Sequence, residues 1–115
     1  MSLFTSSPKR STVHTLTPEQ LARTTPRPRI VDVREPDEFN GELGHIPGAE
    51  LVPLATLEGA ARDWPRDVPL VVACRSGARS AKGAALLVQL GFQHVTNLEG
   101  GTQAHVSAGF PIERG

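Results

Sequence analysis

The stretch Leu70-Val71-Val72-Ala73-Cys74-Arg75-Ser76-Gly77-Ala78-Arg79-Ser80, continuing to Phe92, decides how this chain is read. Leu70 to Ala73 is a short unbroken apolar run, the mark of a strand buried on both faces. It delivers Cys74, the only cysteine among 115 residues, into a six-residue turn that ends at Arg79. A helical pattern runs from near Ser80 to about Leu90, where Gly91 stops it. Within that pattern Ala81, Ala84, Ala85, Leu87 and Val88 make an apolar face, and Lys82 and Gln89 fall opposite. The thiol therefore stands between the carboxyl end of a strand and the amino end of a helix. Unpaired amides and the helix field favour its thiolate by roughly 0.3 to 1 kcal/mol at a surface and up to about 2 when partly buried. Arg75 and Arg79 add positive charge, and Gly77 lets several N–H groups turn toward one anion. Ser80 is placed to cap the helix and to donate to the thiolate or to a bound oxyanion. A lone cysteine after a strand is more often an inert core residue. Two arginines and two small residues in the same six positions argue instead for a reactive, anion-facing nucleophile.

Upstream, Val13 to Leu16 reads as a short strand, and Thr17-Pro18-Glu19-Gln20 as a helix start with Thr17 at the cap and Gln20 closing a capping box. That helix is expected to end before Thr24-Thr25-Pro26. Arg29 to Arg34 is β-branched at its centre and reads as a buried strand that presents Asp32 and Arg34 at its end. Glu35 to Phe39 reads as a short helix ended by Gly41, Gly44 to Ala49 as a turn, and Glu50 to Val52 as a strand. Leu54 to Asp63 carries helical spacing, closed by Trp64-Pro65. Beyond the central helix, Phe92 to Leu98 reads as a last strand, and Thr102 as the cap of a final helix that ends near Gly109. Strands separated by helical stretches, with apolar rather than alternating patterns, give an open, mainly parallel α/β sheet.

Length and composition predict a single domain over residues 13–115 behind a flexible amino-terminal tail of residues 1–12. Twelve basic residues balance twelve acidic ones, which argues against a general nucleic-acid surface. A single cysteine suits a reducing compartment, and the first residues lack the apolar run of a signal peptide. No segment approaches the ~20 apolar residues of a membrane span. A cytoplasmic location without nucleic-acid or membrane partners is the expectation. Four scattered histidines lack metal-ligand spacing, and the turn lacks the lysine of a nucleotide loop, so neither a metal nor another cofactor is expected.

Several pieces in order resemble the rhodanese-like domain family, single-domain sulfurtransferases of the thiosulfate type in particular. They are Val31-Asp32-Val33-Arg34-Glu35 with Glu38-Phe39, Gly44-His45-Ile46-Pro47-Gly48-Ala49, Cys74 to Ser80, Leu98-Glu99-Gly100-Gly101 and Gly109-Phe110-Pro111. The likeness runs from about Val13 to the carboxyl end. It implies a five-stranded, mainly parallel sheet with helices on both faces, and a persulfide carried on Cys74. It also implies that Arg75, Ser76, Gly77, Ala78, Arg79 and Ser80 cradle the sulfur and an anionic donor such as thiosulfate or a persulfide. A thiophilic acceptor, cyanide or a thiol, then takes the sulfur, and a sulfur-relay protein is a conceivable partner. Asp32, Arg34 and His45 are signature positions around the scaffold, the first two read as an ion pair or supporting network ahead of a substrate contact, and His45 as a structural histidine ahead of a general base. His105 stands where the family commonly has tryptophan, and is read as a smaller, more polar packing residue ahead of a changed pocket rim or partner surface. The competing enzyme class is a cysteine-dependent phosphatase or arsenate reductase. Phosphatase-like relatives place five residues between Cys and Arg, whereas four lie between Cys74 and Arg79 here. A non-catalytic relay or docking module is the third reading.

Overall fold

Among the described residues, five strands form one wholly parallel sheet in the order β1-β5-β4-β2-β3. They are β1 (Val13–Leu16), β2 (Arg29–Asp32), β3 (Glu50–Leu51), β4 (Leu70–Ala73) and β5 (Val95–Leu98). The helices are α1 (Pro18–Ala22), α2 (Pro36–Phe39), α3 (Leu57–Ala61), α4 (Ala78–Gln89) and α5 (Gly101–Ser107). This computed structural model describes residues 12–114. The expected amino-terminal tail lies, but for the exposed Thr12, outside the described residues.

The central strand β4 is buried at every position, as its unbroken apolar run requires. Its side chains alternate between two cores. Leu70, Val72 and Cys74 join Val31, Leu57, Ala84, Leu87 and Phe92 on one face, and Val71 and Ala73 join Leu21, Ile30, Ile46 and Leu98 on the other. Both faces of the sheet are covered, with α3 and α4 on the first side and α1 and α5 on the second. The chain leaves β2 toward β3 on one side and leaves β4 toward β5 on the other. The carboxyl ends of β2 and β4, where Asp32 and Ala73 are register partners, therefore flank a topological switch point. Open α/β sheets hold their ligand crevices at such points.

Several boundaries differ from the sequence reading. The helix α4 starts at Ala78, two residues earlier than Ser80, because Gly77 takes the cap position at φ +107°. Ser80 consequently lies inside the first turn and does not cap it. The buried face of α4 is Ser80, Gly83, Ala84 and Leu87, while Ala81 and Ala85 are exposed. At Gly83 a β-carbon would stand 3.2 Å from Leu57 Cδ2, so the missing side chain lets α4 sit close to α3. The Leu54–Asp63 segment splits into a 3-10 turn at Leu54–Thr56 and a shorter α3. The last strand starts at Val95 rather than Phe92, because Phe92 is fully buried in the α3/α4 core ahead of the strand. The strand after the glycine–proline turn stops at Leu51, and the one before Arg34 stops at Asp32. Thr102 does not cap α5. Gly100 does, and the Thr102 hydroxyl is buried without a partner. The amino-terminal helix matches its reading: Gln20 N donates to Thr17 Oγ1 at 3.1 Å, and Thr17 N donates to Gln20 Oε1 at 2.8 Å.

Candidate active site

The strand β4 ends by turning Cys74 into the mouth of the switch point, on the α4 side of the sheet. Gly77, in the left-handed region that only glycine enters without strain, folds the loop back over the sulfur. Gly77 N donates to Cys74 Sγ at 3.1 Å, and Ser80 Oγ lies 3.3 Å from the same sulfur. Burial of Cys74 pushes its thiol up, since a charge is poorly solvated there. Against that act the Ser80 hydroxyl and the amides of Ser80, Gly77 and Ser76, and the net effect holds the thiol below its ordinary range. Gly77, Ser80 and the Ser76 amide together favour the thiolate at this position. The loop can stabilise an anion on Sγ, or one sulfur beyond it.

The Ser80 hydroxyl also lies 2.5 Å from Asn97 Oδ1 and 3.1 Å from Gly77 O, with one proton for three acceptors. A thiolate is the strongest of these, because hydrogen bonds to charged acceptors are about twice as strong as neutral ones. Asn97, on β5, donates from Nδ2 to Gly77 O at 3.2 Å and so fixes the loop from beneath. Sequence reading missed it. Its signal was a polar amide inside a strand that packs against the central one, a group that needs partners when half-buried. Ser80→Ala is expected to move the inflection of Cys74 alkylation by iodoacetamide to higher pH. The alkylation rate should drop several-fold near pH 6.5 and little at pH 9.5. An unmoved inflection would remove Ser80 from the account of the thiolate.

The loop is also gripped from behind. Thr102 N donates to Cys74 O at 2.8 Å and Gln103 N to Arg75 O at 3.0 Å, so the first turn of α5 holds the two carbonyls at the start of the cradle. Gly101 permits this approach, since its β-carbon would overlap both carbonyl oxygens.

The two arginines of the loop differ sharply. Arg79 donates from Nη1 and Nη2 to Glu38 Oε1 and Oε2 at 2.7 and 2.8 Å, a bidentate pair that ties α4 to α2. That guanidinium holds the Glu38 carboxyl far below the usual range, at about 2. The sequence expectation set Arg79 around the sulfur and its anionic donor; in the structure its Nη1 and Nη2 bond Glu38, a residue the sequence reading placed only in a short helix. Arg75 is exposed and has no ion-pair partner among the described residues. Ser76 and Ala78 are exposed. Beside Arg75 opens a hollow of about 390 Å³ whose lining includes Arg34, Asp37, Glu38, Glu42 and Leu43.

Asp32 and Arg34 form the expected ion pair, each 1% exposed. Arg34 Nε donates to Asp32 Oδ1 at 2.9 Å, and Nη2 donates to Asp32 Oδ2 and to Gly44 O, both at 2.8 Å. With its donors so engaged the pair joins the end of β2 to the 44–49 turn. Removing one partner of such a buried pair costs about 3 to 5 kcal/mol. His45 stacks on Phe39 with ring centroids 3.6 Å apart, and its Nδ1 lies 2.9 Å from Phe39 O. Its main chain pairs with Glu113. Its ring and main-chain contacts are thus to Phe39 and Glu113. His105 is buried in α5, donates from Nε2 to Pro111 O at 2.7 Å and packs against Phe110. It helps line an apolar depression over α1 and α5 that contains no residue of the Cys74 loop.

A cysteine ringed by amides at the switch point of a parallel sheet defines a thiol-nucleophile protein of the open α/β class. The chain belongs to the rhodanese-like domain family, whose family model matches residues 17–108. It is 40% identical over 83 residues to a sulfurtransferase of Allochromatium vinosum, covering 72% of this chain and 76% of that protein. It is 33% identical to the thiosulfate sulfurtransferase GlpE of Pseudoalteromonas translucida over 69% of this chain and 73% of the relative. The crystal structure of a rhodanese-related protein from Thermoplasma volcanium superposes with a TM-score of 0.77 at 30% identity, covering 85% and 95% of the two chains. Among the described residues no helix is long and apolar enough to cross a membrane.

Proposed function

We propose that this protein is a sulfurtransferase that carries sulfane sulfur as a persulfide on Cys74, taking it from thiosulfate or a persulfide and passing it to cyanide or a thiol. One observation carries the reading: Cys74 Sγ faces the Gly77 amide and the Ser80 hydroxyl at 3.1 and 3.3 Å inside a loop with four residues between Cys74 and Arg79. A cradle of that size suits one added sulfur better than a phosphoryl group with three equatorial oxygens. The thiolate attacks the outer sulfur of thiosulfate, the S–S bond breaks, and sulfite departs with its electron pair. The acceptor then attacks the outer sulfur of the Cys74 persulfide and regenerates the thiolate, a ping-pong cycle. A second sulfur-carrying protein is an equally suitable acceptor chemically, which keeps a relay role open to the same site. Incubation with thiosulfate should add one sulfur atom to the intact mass, and cyanide should remove it. A mass unchanged after thiosulfate and after an alkyl persulfide alike would overturn the assignment.

The two loop arginines should separate in kinetics. Arg75→Ala removes the exposed cation and should raise the KM for thiosulfate about threefold to fivefold, the worth of an exposed charge, at an unchanged melting temperature. Arg79→Ala releases α2 from α4 and should lower both turnover and melting temperature. Equal losses at saturating donor with equal melting temperatures would show this division to be wrong.

A further inference from the structure

Asn97 is tied to the sulfur site more closely than its place on β5 requires. Two residues after Val95, it points to the same α4 side of the sheet as Cys74. It lies beneath Gly77, whose would-be β-carbon stands 3.9 Å from Asn97 Nδ2. The amide nitrogen donates to Gly77 O at 3.2 Å. A carbonyl can only accept, so this bond orients the amide and turns its oxygen toward Ser80. Ser80 is fully buried, and its Oγ stands 2.5 Å from Asn97 Oδ1, against 3.1 Å from Gly77 O and 3.3 Å from Cys74 Sγ. The shortest contact of this hydroxyl is therefore to the amide and not to the sulfur it helps to charge. One hydrogen serves both.

We propose that Asn97 is a positioning residue that competes with the Cys74 sulfur for the Ser80 hydrogen, receiving it whenever Sγ carries no charge and yielding it when Sγ is a thiolate. The loaded half of this cycle rests on the reading of Cys74 as a sulfur carrier; the unloaded half does not. In the free protein a neutral thiol is a weak acceptor, so the Ser80 hydrogen points to Asn97 Oδ1. On ionisation the thiolate, a charged acceptor, draws that hydrogen across by rotation of the hydroxyl. Loading reverses the swing. Once the thiolate has bonded the outer sulfur of thiosulfate and sulfite has left with the electron pair of the broken S–S bond, the charge sits on the outer sulfur. Sγ is then a neutral, divalent atom, and the buried hydroxyl needs another acceptor, which Asn97 Oδ1 supplies. No proton leaves Ser80 in either step. The charged groups around the loop are engaged elsewhere. Glu38 of α2 and Arg79 of α4 bond each other, as do Asp32 and Arg34 at the end of β2. Arg75, Lys82 of α4, Glu58 of α3 and Glu99 after β5 are exposed. Neither β5 nor the first turn of α5 carries an acid or a base.

The test uses Asn97→Leu, which removes the acceptor at nearly constant size, and Asn97→Asp, which keeps an acceptor and charges it. Unloaded protein is alkylated with iodoacetamide across pH. Loss of Oδ1 deprives the thiol state of its Ser80 bond and costs the thiolate state nothing. Asn97→Leu should therefore move the inflection to lower pH and raise the rate at pH 6.5 about twofold to fivefold, the worth of one neutral hydrogen bond. Asn97→Asp should move it to higher pH, since the carboxylate holds the Ser80 hydrogen and repels the thiolate. In a Ser80→Ala background, Asn97→Leu should no longer lower the inflection. A merely structural tie through Gly77 O requires the opposite sign for Asn97→Leu, because a looser loop carries its amides away from the sulfur. The loaded half is read by intact mass at fixed ratios of thiosulfate to sulfite, above the alkylation inflection. There Asn97→Leu should need a ratio about twofold to fivefold higher for half-loading. An inflection that stays or rises in Asn97→Leu, or a lowering that persists without Ser80, would overturn the competition. If Asn97→Leu melts too low to assay, an Asn97→Asp inflection at or below that of wild type overturns it instead. Wild-type protein that loads from neither thiosulfate nor an alkyl persulfide would remove the sulfur carrier and the loaded half with it, while the alkylation shifts still decide the unloaded half.

Discussion

Cys74→Ala should abolish sulfur loading outright, with thiocyanate formation from thiosulfate and cyanide falling to the uncatalysed background. At least about a 10³-fold loss is expected, equivalent to roughly 4 kcal/mol of transition-state stabilisation. No other thiol exists in the chain to take over. The nearest hydroxyl, Ser80, is itself a hydrogen-bond donor to the sulfur and holds its proton at neutral pH. The fold should survive the change. Cys74 is a small residue at the edge of the α3/α4 core, and trimming one sulfur there should cost about 1 kcal/mol, near the centre of the distribution for point mutants. A melting curve and a loading assay on the same sample therefore separate chemistry from folding. The same variant arbitrates against phosphate ester hydrolysis. Wild type and Cys74→Ala are compared with thiosulfate plus cyanide and, in parallel, with a small aryl phosphate. Cys74-dependent release of phenol without any thiocyanate would make the protein a phosphatase on this scaffold, and an undiminished sulfur adduct in Cys74→Ala would place the carrier elsewhere.

What the sequence made legible follows from the kind of interaction that fixes each element. The strand β4 was readable because four consecutive apolar residues have no other comfortable environment, and it is buried at all four positions. The α1 start was readable because a capping box is a local device, complete within Thr17 to Gln20. Of the loop side chains and amides expected around Cys74, Gly77 N and Ser80 Oγ bond its sulfur, while the Arg79 guanidinium turns to Glu38. The boundary errors share a different cause. Ser80 reads as a cap by its chemistry, yet the neighbouring glycine at positive φ starts α4 earlier and turns the hydroxyl inward. Ala81 and Ala85 read as core by hydropathy, yet they face solvent, because alanine is as suited to an exposed helix face as to a buried one. The partners of Arg79 and Gly77 were hidden for a topological reason. Glu38 lies 41 residues before Arg79 in the chain, and Asn97 lies 20 residues after Gly77. Nothing local marks either as a neighbour of the loop. Only the β1-β5-β4-β2-β3 order, which sets β2 and β5 on the two sides of β4, brings them to its end.

Gly101→Ala is expected to lower both stability and sulfur loading, and it should act by pushing α5 off the loop it supports. Gly101 adopts φ +63°, where a residue with a β-carbon costs roughly 1 to 2 kcal/mol. That β-carbon would also lie 2.6 Å from Arg75 O and closer still to Cys74 O, both backbone atoms with no rotamer to escape by. Overpacking of this kind costs about 1 to 3 kcal/mol. Relief requires α5 to retreat, which stretches the bonds from Thr102 N to Cys74 O and from Gln103 N to Arg75 O. The contributions are not additive in full, since retreat relieves the overlap as it breaks the bonds. A loss of about 3 kcal/mol remains, which for a domain of this size lowers the melting temperature by more than about 12 °C. Gly109→Ala is the matched control. Gly109 has φ +85° but no atom within 4 Å of its would-be β-carbon, so it reports the backbone strain without the collision. Functionally, the Gly101 variant should also load sulfur more slowly per folded molecule below its melting point, and its Cys74 alkylation inflection should move upward as the amides drift from the sulfur. Should Gly101→Ala melt within about 2 °C of Gly109→Ala and keep the wild-type alkylation profile, the grip of α5 on the Cys74 and Arg75 carbonyls would have no part in shaping the cradle.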